Sequence, residues 1–226
     1  MTAAPASRAT LDPALAAHLD TLTGDLDAIP EPHRSASRQL AGWLSAHYRP
    51  GMALPVVVVC TGNSRRSTLG AMMGNAAASA LGLPEVCFMS AGTAPSAFNP
   101  RTIAALCAVG FAIEPTGDEA PRGAEGQPNP CYGIRWGTGE GQELIEFSKV
   151  LGDPALPSSG FVAVMVCDEA DTGCPVVPGA AARVSMPFPD PKAADGSLEE
   201  TARYAATRDA FGRLMLAMLA KVRKGR

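Results

Sequence analysis

The 226-residue sequence predicts an α/β fold built on a parallel sheet. The first observation is the run of valines at 56–59, which is typical of a strand buried on both faces. The second is that short apolar strands alternate along the chain with longer helical patterns, an order that favours parallel strands joined by right-handed crossovers. The third is that a chain of this length, 46% hydrophobic, can bury one substantial core.

The elements follow from spacing and from turn residues. Leucines at helical spacing predict two helices over 11–26 and 35–48, separated by prolines, which we interpret as an N-terminal helical hairpin extension over residues 1–50. A main domain is expected over 51–226. Its strands are predicted at 56–59, 86–89, 161–166 and 183–186, and its helices at 67–81, 99–109 and 198–222. The stretch 116–141 is rich in Gly and Pro, and it predicts an insertion at about 116–160 that is either a surface insertion or a functional flap.

Composition argues against several classes of protein. The net charge is −3, there is no long basic run and aromatic residues make up 5%, so no nucleic-acid partner is expected. The apolar stretches are too short to span a bilayer, which argues against a membrane protein. Six cysteines in a chain this long do not indicate a disulfide framework, so a reducing cytoplasm is the expected setting. All three histidines, His18, His33 and His47, fall in the N-terminal extension, and neither a metal nor a cofactor is expected.

A candidate nucleophile, Cys60, ends the valine strand, and a helix begins a few residues later. Backbone N–H groups between a strand and a helix can cradle an anion, and the helix N-terminus adds partial positive charge that stabilises a thiolate. Arg66 can clamp two oxygens of a tetrahedral anion, and Ser67 can cap the helix or donate to the thiolate. The residues expected to bind an oxyanion are Thr61, Gly62, Asn63, Ser64, Arg65, Arg66 and Ser67.

The run 59–67 resembles the signature loop of low-molecular-weight tyrosine phosphatases and thioredoxin-coupled arsenate reductases, and the segments 90–93 and 99–100 resemble the next landmarks of that superfamily. The resemblance extends over roughly 55–226, and it implies a four-stranded parallel sheet with helices on both faces. Two positions depart from the pattern. Arg65 stands where the family often has Cys, and Ala71 stands where the reductases carry an acid that helps to hold a cation.

Asp190 precedes Pro191, after the last predicted strand. Asp-Pro is a common turn sequence, but the resemblance implies that this aspartate is the general acid that protonates the leaving oxygen. Cys60, Cys167 and Asp190 all fall at or just beyond the C-terminal ends of predicted strands, where an open parallel sheet places its ligand site.

Two further cysteines, Cys167 and Cys174, help to choose between the activities of the superfamily. Cys167 ends the third predicted strand, and Cys174 lies in the polar segment that follows, before Pro175. This segment resembles the redox segment of thioredoxin-coupled arsenate reductases, which implies that Cys60, Cys167 and Cys174 pass a disulfide outward. The alternative is that Cys167 and Cys174 are two unrelated small hydrophobic residues.

Three functions therefore remain open. The first is reduction of arsenate, with thioredoxin as the candidate reductant, and Cys167 and Cys174 favour it. The second is hydrolysis of phosphotyrosine or of a small phosphoester, with Cys167 and Cys174 protecting Cys60 from oxidation; Arg65, Ala71 and the insertion weigh toward it. The third is a non-enzymatic oxyanion-binding or redox-sensing module, against which Cys60, Arg66 and Asp190 together argue.

The apolar face of the N-terminal helices must pack on the main domain or on a second copy in a homodimer; it consists of Leu15, Leu19, Leu22, Leu40 and Leu44.

Overall fold

The computed structural model describes residues 10–23, 29–123, 126–173 and 176–225. Helices and strands alternate through most of it. In chain order the elements are α1 (Pro13–Thr21), α2 (His33–His47), β1 (Leu54–Cys60), α3 (Arg66–Leu81), β2 (Val86–Gly92), α4 (Pro100–Cys107), β3 (Ala112–Glu119), β4 (Pro130–Arg135), β5 (Glu143–Glu146), β6 (Phe161–Met165), α5 (Asp168–Gly173), β7 (Ala180–Ser185), a 3-10 helix (Pro191–Ala194) and α6 (Glu200–Lys224).

The main sheet has four parallel strands in the order β2-β1-β6-β7. All of β6 and all but one residue of β1 are buried. Because successive residues of a strand face opposite sides, this burial shows that both faces of the sheet are covered. The predicted α/β class and the four-stranded parallel sheet are confirmed. β1 lies in the middle of the sheet, which brings its C-terminal residue, Cys60, to the centre of the sheet edge.

Local signals shift several helix boundaries from their predicted positions. α1 begins at Pro13 rather than at residue 11, because Asp12 caps it by accepting hydrogen bonds from the amides of Ala14 at 2.9 Å and Leu15 at 3.2 Å. The predicted end of this helix, at residue 26, lies outside the described residues. α4 begins at Pro100, because Asn99 caps it in the same way.

The insertion expected at about 116–160 contains a second sheet that the sequence did not predict. Three antiparallel strands pair in the order β3-β4-β5, and β3 starts at Ala112, ahead of the expected insertion. Pro115 and Gly117 lie within β3, and Gly133 lies within β4. Because Pro and Gly are depleted in strands, the composition of this segment did not predict any strand. The sheet depends on pairing between residues that are distant in the sequence.

The two N-terminal helices pack on different parts of the main domain. α1 packs against α3, and α2 packs against α6 and β7. The apolar residues Leu15, Leu19, Leu22, Leu40 and Leu44 all belong to the continuous hydrophobic core. The apolar face of these helices is therefore buried within a single chain. Nowhere in the described ranges is a helix both long enough and apolar enough to cross a membrane.

Candidate active site

The loop after β1 holds Cys60 in a buried position at the centre of the sheet edge. Cys60 is 3% exposed, and its Sγ lies 3.1 Å from the Oγ of Ser67 in the first turn of α3. Asn63, in the middle of the loop, has a φ of 42°, in the left-handed region that asparagine adopts more readily than most residues. This turn returns the chain towards α3, so that Ser67 stands beside the thiol.

The side chain of Asn63 connects this loop to the rest of the molecule. Its Nδ2 donates to Ser67 Oγ at 3.0 Å and to Ser90 Oγ, at the end of β2, at 2.6 Å. Its Oδ1 accepts a hydrogen bond from the backbone N–H of Lys149 at 2.7 Å. All of these groups are buried. The position of Ser67, and with it the environment of the Cys60 sulfur, therefore depends on residues far away in the sequence.

A buried ion pair from the insertion completes this network. Glu146 is 2% exposed, Lys149 is 5% exposed, and the Lys149 Nζ lies 2.6 Å from Glu146 Oε1. Ser90 Oγ also donates to Glu146 Oε1, at 2.9 Å. Sequence analysis missed both residues, because a Glu and a Lys three positions apart are most often a solvated surface pair. Buried charges persist only when they are paired, so this pair gives the insertion a rigid attachment to the loop.

Arg66 has a hydrogen bond to a carbonyl and an ion pair with a carboxylate, and within the described ranges one of its buried donors has no hydrogen-bond partner. Its Nη1 donates to the carbonyl of Phe188 at 3.1 Å, and its Nη2 lies 2.8 Å from Asp190 Oδ2. The buried Nε has no hydrogen-bond partner among the described residues. A buried guanidinium donor needs an acceptor, and an oxygen of a tetrahedral anion would supply one.

Asp190 lies in the same cavity as Cys60 and Arg66. It caps the 3-10 helix by accepting from Lys192 N at 3.0 Å, and its other oxygen pairs with Arg66. The side chain is 34% exposed. The cavity has a volume of about 210 Å³, and its lining is Cys60, Thr61, Gly62, Ser64, Arg65, Arg66, Ala94, Ser96, Asp190 and Lys192.

Arg65 lines the cavity and also bonds to residues outside it. Its Nε donates to the hydroxyl of Tyr204 on α6 at 2.7 Å, and its Nη2 lies 3.2 Å from Asp195 Oδ2. Burial raises the pKa of Tyr204 to about 12, and the hydrogen bond to Asp195 adds to the shift. The Arg65 side chain thus joins the loop to α6, which leaves Arg66 as the guanidinium with an unsatisfied donor in the cavity.

Cys167 lies directly beyond β6 and is fully buried. Its Sγ lies 3.5 Å from the Oγ1 of Thr61 in the Cys60 loop, and it accepts the N–H of Ala170 at 3.4 Å. Burial raises the pKa of the Cys167 thiol, while Thr61 and Ala170 oppose the shift. Cys60 and Cys167 are both free thiols. Cys174 lies outside the described residues.

No set of three or more His, Cys, Asp or Glu side chains within the described ranges is arranged to hold a metal ion. The groups that line the cavity include the thiol of Cys60, the guanidinium of Arg66 and the carboxyl group of Asp190, together with backbone and hydroxyl donors of the loop. This set can attack a tetrahedral oxyanion, hold its charge and protonate a leaving oxygen.

Comparison with known proteins agrees with this geometry. Residues 55–121 match the family model described as low molecular weight phosphotyrosine protein phosphatase. No curated protein matches the chain. Among solved structures, a low molecular weight protein tyrosine phosphatase from Bacillus subtilis is 16% identical, with 76% of this chain and 98% of that chain covered and a TM-score of 0.48.

Two further solved structures are similar to this chain at a comparable level. A low molecular weight protein tyrosine phosphatase from T. tengcongensis is 17% identical, with 75% of this chain and 99% of that chain covered and a TM-score of 0.43. A thioredoxin-dependent arsenate reductase from Corynebacterium glutamicum is 13% identical, with 90% of this chain and 83% of that chain covered and a TM-score of 0.42.

The family match includes β1, the Cys60 loop, α3 and β2, which are the elements that build the anion site. It supports an enzyme rather than a binding module. The resemblance found in the loop sequence is confirmed over residues 55–121, which match the family model of low molecular weight phosphotyrosine protein phosphatases.

Proposed function

We propose that this protein reduces arsenate to arsenite, with Cys60 as the nucleophile and Cys167 and Cys174 as a disulfide relay. The observation that carries the proposal is the position of Cys167. A second thiol, buried at the end of β6, lies against the Cys60 loop through the 3.5 Å contact with Thr61. A hydrolase that works through Cys60 alone has no need of a thiol there.

In the first step the Cys60 thiolate attacks the arsenic of bound arsenate. A sulfur–arsenic bond forms, and one arsenate oxygen leaves as water after it is protonated. Asp190 is the proton donor, and Arg66 holds one of the remaining oxygens through its unsatisfied Nε, while backbone N–H groups of the Cys60 loop are available to the others. Arsenic remains As(V) in this step, because no electrons are transferred.

In the second step the Cys167 thiolate attacks the Cys60 sulfur. A Cys60–Cys167 disulfide forms, the sulfur–arsenic bond breaks, and its electron pair goes to arsenic, which leaves as arsenite. Cys174 then attacks Cys167, so that Cys60 is released as a thiolate and the oxidised pair becomes Cys167–Cys174. An external dithiol protein of the thioredoxin class reduces that pair and completes the cycle, which suits a reducing compartment such as the cytoplasm.

The lining of the cavity supports a small oxyanion as substrate. The lining side chains are polar, charged or small, and none of those described is aromatic. An aryl phosphate would place its ring beyond the anion cradle, where apolar or aromatic contacts normally provide binding energy. Inorganic arsenate needs only the cradle itself, which favours it over phosphotyrosine.

Phosphoester hydrolysis is the second candidate, because Cys60, Arg66 and Asp190 are sufficient for it. Cys60 would take the phosphoryl group, Asp190 would protonate the leaving alcohol, and water would then hydrolyse the thiophosphate. In that case Cys167 and Cys174 would protect Cys60 by forming a disulfide with it under oxidising conditions.

The two functions can be separated by measuring arsenate reduction with thioredoxin and hydrolysis of an aryl phosphate on the same preparation. For a reductase we expect arsenate turnover to leave a Cys167–Cys174 disulfide, identified by peptide mass. Cys174→Ser should then allow a single turnover and trap the Cys60–Cys167 bond, whereas Cys60→Ser should abolish turnover. Cys107→Ser, at an exposed thiol at the end of α4, is the matched control. Steady-state arsenate reduction at the wild-type rate in Cys174→Ser would refute the relay and move the phosphatase to first place.

A further inference from the structure

The N-terminal helix α2 reaches the segment that carries the candidate general acid. Its first residue, His33, contacts the dipeptide Pro187–Phe188, which lies between β7 and Asp190. We infer that His33 is a positioning residue of the active site, and that the N-terminal extension is therefore a working part of the catalytic machinery. The inference rests on the proposed oxyanion chemistry at Cys60, and it holds for either reaction considered above.

Two contacts define the role of His33. Its Nε2 lies 2.6 Å from the carbonyl oxygen of Pro187, and since a carbonyl only accepts, this nitrogen carries the hydrogen. The imidazole ring also stacks on the ring of Phe188, with centroids 4.2 Å apart and planes inclined by 17°. Phe188 packs in turn on Phe211 of α6, at a centroid distance of 3.9 Å. The imidazole therefore holds both the backbone and the side chain of this segment.

The dipeptide that His33 holds is the same one that orients the reacting groups. The carbonyl of Phe188 accepts the Nη1 donor of Arg66 at 3.1 Å, and the amide of Phe188 donates to Val166, next to Cys167, at 3.0 Å. Asp190 follows two residues later and pairs with Arg66. Proline has no N–H, so the carbonyl of Pro187 is its only backbone hydrogen-bonding group, and the structure assigns that group to His33.

His33 acts on the reaction indirectly. It is absent from the described lining of the cavity, and it bonds the carbonyl of Pro187, whereas Arg66 bonds the carbonyl of Phe188. Loss of its contacts would free the Pro187 carbonyl and one face of Phe188, so that Arg66 and Asp190 would sample positions away from the anion. A displacement of about 1 Å at a reacting group can lower a rate by roughly 100-fold.

Substitutions can separate the two contacts. His33→Gln keeps an N–H donor without the aromatic ring, and His33→Phe keeps the ring without the donor. The matched control is His47→Ala in the last turn of the same helix. Within the described part of the chain, the hydrogen bond and the ring contact of this imidazole are both with Trp43 of its own helix, through the Trp43 carbonyl at 2.8 Å and the Trp43 ring. A general effect of losing a histidine from α2 would appear in this control as well.

The test measures kcat and KM for arsenate and for an aryl phosphate, the affinity for inorganic phosphate by calorimetry, and the melting temperature of each full-length variant. We expect His33→Ala to lower kcat at least tenfold and to weaken phosphate binding several-fold, with His33→Gln and His33→Phe each recovering part of both losses and His47→Ala matching the wild type. Should His33→Ala fold poorly, His33→Gln and His33→Phe still test the inference, because both keep a large side chain at this position. Their kcat and phosphate affinity, each compared with the wild type, show what the loss of the ring or of the donor costs.

Values of kcat and phosphate affinity within twofold of the wild type in His33→Ala, or equal losses in all three His33 variants, would overturn the inference. A wild-type protein that turns over neither substrate would refute the proposed function instead. The phosphate affinities would still test the link from His33 to Arg66, so the two failures can be told apart.

Discussion

The thiol of Cys167 has an environment that resists its ionisation. Burial raises its pKa, and the neighbouring Cys60 adds to the shift, while the Thr61 hydroxyl, the Ala170 amide and the charge of Arg66 oppose it. Most molecules therefore carry Cys167 as the neutral thiol near neutral pH. Since only the thiolate attacks a sulfur atom, the protonation state of this residue controls the second step of the proposed cycle.

The disulfide-forming step should accelerate as the pH rises. Below a raised thiol pKa, the thiolate fraction grows about tenfold per pH unit, so we expect the rate of Cys60–Cys167 bond formation to increase steadily from about pH 7 to pH 9. Rapid quenching of a single turnover in Cys174→Ser, followed by mass analysis, measures this rate. A rate of bond formation that is independent of pH over that range would contradict control of this step by the ionisation of Cys167.

The buried pair Glu146–Lys149 should contribute strongly to stability because each charge depends on the other. We expect Lys149→Met to lower the free energy of unfolding by about 3–5 kcal/mol, since Glu146 would be left buried and unpaired. The double variant Glu146→Gln with Lys149→Met should recover much of this loss. Denaturant unfolding measures both.

An exposed pair with the same sequence spacing provides the control. Arg122 and Glu119 lie 3.5 Å apart with side chains 61% and 48% exposed, and Arg122→Met should cost no more than about 1 kcal/mol. Equal losses in Lys149→Met and Arg122→Met would contradict a role for burial.

At the scale of elements, the fit of α3 against the main sheet depends on a glycine. A Cβ added to Gly74 would lie 2.5 Å from Cγ of the buried Phe88 in β2, so an alanine there must displace the ring. We expect Gly74→Ala to destabilise the protein by up to about 3 kcal/mol. Gly42→Ala in α2 meets nothing within 4 Å and should be neutral or stabilise by up to about 1 kcal/mol. Thermal unfolding of both variants tests this, and equal melting temperatures would show that α3 can shift freely.

A different contact at this scale joins the Cys60 loop to α6. Arg65, Asp195 and Tyr204 bring together the loop, the end of the 3-10 helix and α6. The loop is thus attached on one side through Arg65 and on the other through Asn63 and the insertion. These two attachments, to separate elements, explain how a short loop keeps its donors directed at one cavity.

For the whole molecule, the N-terminal helices share one core with the main sheet. Leu40 of α2 is fully buried, and we expect Leu40→Ala to cost about 2–5 kcal/mol. Leu198→Ala, at a fully exposed leucine before α6, should change stability by less than about 0.5 kcal/mol. A single unfolding transition with a lowered midpoint is the expected result for Leu40→Ala. Two separate transitions, of which only one moves, would show that the extension unfolds independently.

The main sheet and the loop at the centre of the site could be predicted from the sequence alone. Continuous apolar runs identify buried strands without reference to their neighbours, and the Cys60 loop is a local feature whose backbone donors, thiol and arginine are adjacent in the chain. The positions of Asp190 and Cys167 near the Cys60 loop could also be predicted, because the ends of parallel strands meet at one edge of a sheet.

The partners that these residues contact depend on tertiary packing and could not be predicted from the sequence. The antiparallel sheet of the insertion, the pairing of Arg65 with Asp195, the burial of Glu146 with Lys149 and the reach of His33 to Pro187 all join residues that are distant in sequence or depend on burial by distant elements. A charged or polar side chain has the same local pattern whether it is solvated or buried. The environment of such a side chain is set by the elements that pack around it, and it cannot be predicted from the periodicity of the sequence.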